Sequence, residues 1–151
     1  MKTLFNNADY LELKNRLETL QPANQRQWGK MDVAQMLSHA GKAIEMSLGI
    51  ITPPPDGNAF FRFIVRTLIK PMTLGNKPFS KNSPTSKAIK IADAKIFAEE
   101  KSRLLSLLLQ AHDYGENGKW HPHSFFGNLT GEEWGRLTYK HVDHHLRQFS
   151  A

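Results

Sequence analysis

The chain has 151 residues, no cysteine, and 20 Lys and Arg against 14 Asp and Glu, a formal charge of +6. That length suits one domain spanning 1–151 with a conventional core. The missing cysteines exclude disulfides, thiolate metal ligands and a cysteine nucleophile, so a metal would be held by His, carboxylate, amide or water: zinc, nickel, iron or manganese. The basic residues are scattered and match no nucleic-acid motif, so no nucleic-acid partner is expected. No apolar run nears the roughly 20 residues of a membrane span, and the N-terminus lacks a signal-peptide pattern; a cytoplasmic protein is expected.

The segment Asn6-Asn7-Ala8-Asp9 offers helix caps, and Tyr10, Leu13, Leu17 and Leu20 follow at helical spacing. A first helix is predicted over about 7–20, ending before Pro22. Residues 21–30 read as a polar connection whose Trp28 is expected to plug one end of the core. Asp32 is a good N-cap for a second helix reaching about Leu48, with Gly49 as terminator. At about 100° per residue, His39 falls at the centre of that helix's apolar face, with the small Ala40 and Ala43 beside it. A buried imidazole needs a partner: a metal, Gln35 or a carbonyl.

Residues 49–85 hold six prolines and read as a long crossover. Within it, Asn58 to Lys70 interleaves Phe60, Phe61, Phe63, Ile64, Val65, Leu68 and Ile69 with Arg62, Arg66 and Lys70. This predicts a short helix packing its aromatics over the end of the core. The same composition suits a membrane surface or a second subunit. Ser83-Pro84 then resembles a cap and first turn, predicting a long third bundle helix over about 84–113. His112 near its end is expected to face the helix dipole. The loop from Trp120 to Leu129 carries His121 and His123, which either line the mouth of a site or hydrogen-bond locally.

The last stretch carries the most chemistry. Thr130 and Glu133 form a capping-box pattern, and Trp134, Leu137, Val142, Leu146 and Phe149 recur at helical spacing. His141 and His145 sit inside this apolar stripe, with His144 on its border. Two histidines at i, i+4 can chelate one ion, or can be hydrogen-bonded core residues. No strand is predicted. Helices joined with one long crossover give an all-α four-helix bundle, whose core is a frequent place for metal sites.

Several of these residues together resemble the DinB-like superfamily, and most nearly a DinB-like subfamily of unassigned function. The resemblance rests on Met36-Leu37-Ser38-His39, Trp120-His121-Pro122, Phe126-Gly127-Asn128-Leu129-Thr130, Trp134-Gly135 and His141 through Phe149. It implies an up-down-down-up bundle with a divalent metal held by His39, His141 and His145, His144 being an extra candidate beside the pair. Relatives in that superfamily include transferases and isomerases that use bacillithiol, mycothiol or glutathione. By analogy, a small molecule, either a low-molecular-weight thiol or water, would be activated there, as in a thiol-dependent transferase or a hydrolase. His144, His123 or Asp32 would supply acid or base, and Gln35 and Gln148 would support the ligands. A non-catalytic stress or interaction domain is the other expectation, and a homodimer is an expected partner state.

Overall fold

In the computed structural model, which describes residues 1–151, helical signals in the sequence become four long helices with a crossover between the second and third. Helix α1 (Asn7–Thr19) starts on the Asn6 side chain, whose oxygen accepts from Ala8 and Asp9 N–H. Helix α2 (Val33–Ser47) starts on a full capping box between Asp32 and Gln35. Gly49 follows its end at φ +73°. Helices α5 (Phe97–Tyr114) and α6 (Gly131–Gln148) complete the set, α6 opening on the expected Thr130–Glu133 capping box. No strand forms; the one bridge pairs His123 with Gly127.

Each of α1 and α2 packs against both α5 and α6, closing a ring around a shared core. Leu13, Leu17, Met36, Leu37, Ile44, Leu104, Leu108, Val142, Leu146 and Phe149 are all essentially inaccessible there. Truncating any one of these leucines leaves a cavity costing about 2–5 kcal/mol. No helix is long and apolar enough to cross a membrane.

The third bundle helix begins at Phe97, not at Ser83-Pro84. Residues 84–96 run mostly extended, with one 3-10 turn at Lys87–Ile89. The reason lies in Ile89 and Ile91, both buried two residues apart. A helix would place them about 200° apart, on opposite faces. Extended backbone lets both reach the core, and it leaves the Ile89 carbonyl free of helical bonding. That freedom matters at the site below.

The crossover forms α3 (Ala59–Ile64), a π turn (Val65–Ile69) and α4 (Lys70–Leu74) in succession. Its aromatics do not cover the core. Val65 alone is buried, against Phe126, Trp134 and Leu137, while Phe60, Phe61, Phe63, Leu68 and Met72 face outward. The segment is instead tied to α6 by polar contacts: Lys70 pairs with Glu133 at 2.9 Å, and Lys140 donates to the carbonyls of Thr73 and Gly75.

Candidate metal centre

Two helices that are far apart in sequence bring three imidazoles to one point. His39 lies on α2, and His141 and His145 lie one turn apart on α6. His39 Nε2 is 3.1 Å from His141 Nε2, and His145 Nε2 is 3.2 Å from the same atom. The three ligand atoms all lie within 4.8 Å of one another.

The tautomers follow from the outer contacts. His39 Nδ1 lies 2.7 Å from the Ile89 carbonyl, which can only accept, so Nδ1 carries the proton and Nε2 a bare lone pair. His145 Nδ1 lies 2.8 Å from Gln148 Oε1, while Gln148 Nε2 donates to the Trp28 carbonyl at 2.7 Å. The amide is therefore oriented to accept from His145, whose Nε2 is also bare. His141 Nε2 has at most one proton to offer two lone pairs. At least one buried acceptor in the cluster is left without a donor.

A cation relieves that mismatch. With metal–nitrogen bonds of about 2.0–2.1 Å, tetrahedral coordination spaces its ligands by about 3.3–3.4 Å, close to the two observed separations. The donor set is three neutral nitrogens with two outer partners already in place, so three His close together can bind a divalent ion here.

Burial keeps the rings neutral. Removal from water pushes His39 below the ordinary histidine range against the opposing pull of the Ile89 carbonyl. Burial holds His141 far below it, helped by His145 and His39. His145 is pushed down to about 3, first by burial and then by His39. Neutral imidazole is the form that binds metal.

The support around Gln148 depends on one backbone conformation. Gly29 has φ +83°, and a Cβ there would lie 2.5 Å from Gln148 Nε2. Trp28 does not plug the core. Its ring is half-buried 5.5 Å from His144, with Lys81 above it, and its carbonyl holds Gln148.

The three residues expected to supply acid or base fall in different places. His144 stands beside the cluster, its ring 5.2 Å from His145 and between Trp28 and Phe79. Burial lowers its pKa, with Asp143 opposing. His123 is held by the turn it closes with Gly127 and accepts from the Phe125 and Phe126 N–H groups through Nδ1. Burial pushes it down to about 4, with Asp56 opposing. It lines a cavity of about 70 Å³ together with His141. Asp32 is not at the site. It is exposed, caps α2 through Gln35 N–H, and borders a separate hollow with Phe97 and Phe149. Its angle about the helix axis matches His39, but seven residues of helix put about 10 Å between them.

Gln35 is likewise absent from the cluster, its side chain bonding Asp32 N–H and the Ala92 and Asp93 carbonyls. His112 donates to or accepts at no helix end; it bonds the Leu4 carbonyl and stacks on Tyr10 at 4.3 Å. His121 bonds the adjacent Pro122 carbonyl. Sequence reasoning missed Ile89 and Gly29. The Ile-x-Ile spacing was the available sign for the first; nothing local marked the second.

A family model described as "Protein of unknown function (DUF1569)" matches residues 4–151. No curated protein and no solved structure matches the chain.

Proposed function

We propose that this chain, which belongs to the family described as Protein of unknown function (DUF1569), is a metal-dependent enzyme of DinB-like type. In this reading His39, His141 and His145 hold one zinc, nickel, iron or manganese ion in a single up-down-down-up bundle. The observation that carries it is the lone-pair excess at the three Nε2 atoms, two of them fixed as acceptors by Ile89 and Gln148. Three protein ligands leave coordination positions open, the arrangement of catalytic rather than structural sites. A divalent ion there supplies Lewis acidity, enough to make a small thiol or a water nucleophilic near neutral pH. The reaction class is thiol-dependent transfer or hydrolysis.

The chain's own groups have definite parts. Ile89 and Gln148 hold two imidazoles in the metal-binding tautomer. The half-buried His144, kept neutral by burial, stands beside the cluster and can accept a proton from the incoming nucleophile, whereas His123, whose Nδ1 already accepts two backbone N–H groups, can only donate, from Nε2. Lys140, directed to the Thr73 and Gly75 carbonyls, is occupied elsewhere.

Protein purified without chelator is expected to carry close to one divalent ion per chain by elemental analysis. His141→Ala should lower that content at least tenfold, because His141 Nε2 neighbours both other ligands. Undiminished metal in this variant would refute the ligand set.

A second reading is favoured by the depth of His39 and His145, 3% and 7% exposed. It makes the metal structural, in a non-catalytic domain. Removing a structural ion unfolds such a domain, since binding energy is then folding energy. The catalytic reading expects the chelated bundle to keep a cooperative melt.

A further inference from the structure

The small cavity beside His141 has walls of two kinds. Ile44, Met46, Ile89 and Leu137 make one apolar side, and Trp134, Thr138 and His123 supply the polar groups. No lysine, arginine or carboxylate lines it. Trp134 is 3% exposed, and its indole N–H has no hydrogen-bond partner. Buried donors are nearly always paired, so an orphan on a cavity wall marks a place for an acceptor.

His123 adds a second donor from a different element. Its Nδ1 accepts from the backbone N–H groups of Phe125 and Phe126, at 3.1 and 3.3 Å, so the ring proton is on Nε2. The closed turn between His123 and Gly127 fixes this ring, which stacks on Phe126 at 4.6 Å and lies 5.5 Å from Trp134. Two of the residues that line the hollow with His141, Trp134 and His123, thus each carry a ring N–H that donates to nothing within the protein.

We propose that this hollow binds a small carbonyl or carboxylate compound with a short aliphatic body, its oxygen accepting from Trp134 Nε1–H and His123 Nε2–H. The inference rests on the metal-site reading for its role and deepens it by naming the class of the second reactant. Ile44, Met46, Ile89 and Leu137 contact the aliphatic part. The size sets the limit: about 70 Å³ is the space of roughly two liquid waters, so it takes the head of a molecule and excludes a large cofactor. The neutral donors accept either a carboxylate or an uncharged carbonyl, and the two are told apart by probe.

The test uses the full chain, ¹⁵N-labelled, with and without zinc, titrated with acetate and separately with acetamide, whose size is near that of the hollow. Among the three indole N–H resonances, that of Trp134 is identified by its loss in Trp134→Phe. It should move downfield with at least one probe in roughly the millimolar range, the affinity a few-atom ligand can reach. Trp120, whose N–H already bonds the Gly115 carbonyl, should not respond. His123→Asn keeps an acceptor for the Phe125 and Phe126 N–H groups and removes the Nε2 donor, so it should weaken binding about tenfold with an unchanged melt. Zinc-loaded protein in which neither probe moves the Trp134 signal would overturn the pocket and leave the metal site standing. Binding of the probe by protein that takes up no zinc would retain the pocket and overturn the metal reading. Protein that takes up no zinc and shows no Trp134 shift with either probe ends both.

Discussion

Gln148 shows how much one side chain can decide. Its amide accepts from His145 Nδ1–H and donates to the Trp28 carbonyl, while its own carbonyl accepts from Gln27 N–H. Gln148→Ala should weaken metal binding about 10–100-fold, the range for losing an outer-shell partner, with the bundle intact. Competition against a chromogenic chelator measures it. Gly29→Ala should act in the same direction, because the added Cβ meets Gln148 Nε2 and the left-handed backbone is strained for alanine. Wild-type affinity in both variants would mean that the orientation of His145 is set by packing alone.

Among the elements, the 84–96 segment separates local signals from what competes with them. Ser83-Pro84 has the form of a helix start, yet Ser83 is exposed and bonds only the Ser80 carbonyl. Ser86 is the buried cap of the short turn, accepting from Ala88 N–H and donating to Asp56. Ser83→Ala is therefore expected to change stability by less than about 0.5 kcal/mol, as for a surface position. Thr130→Ala, which removes half of a true capping box, should cost about 1 kcal/mol. Urea denaturation of the two variants measures the contrast. Equal losses would restore the longer helix.

At the scale of the whole molecule, the buried histidines link stability to pH. His145 is held down to about 3 and His123 to about 4, so both stay neutral in the folded state where the unfolded chain takes up protons. The stability of metal-free protein is then fully present above the unfolded value near 6.5 and is lost as pH falls toward the folded values. The slope approaches about 1.4 kcal/mol per pH unit for each such ring. Denaturant titrations of chelated protein between pH 7 and 5 should show the fall, and a flat profile would contradict neutral burial. Bound metal should steepen it, since protons compete for the same lone pairs.

Much of this molecule was legible along the chain. The capping boxes at Asp32 and Thr130 and the apolar stripe of α6 are local features, and local geometry alone put His141 and His145 on one buried face. Helical angle also groups Trp134 and Thr138 with them, and both are buried. Packing decided the rest. His39 meets His141 across 102 positions, and the carbonyl that sets its tautomer comes from a segment whose periodicity of two was hidden among helix-forming residues. Helical periodicity assigns a side chain to a face; only the docking of α2, α6 and the extended 84–96 segment determines which lone pairs converge on one point.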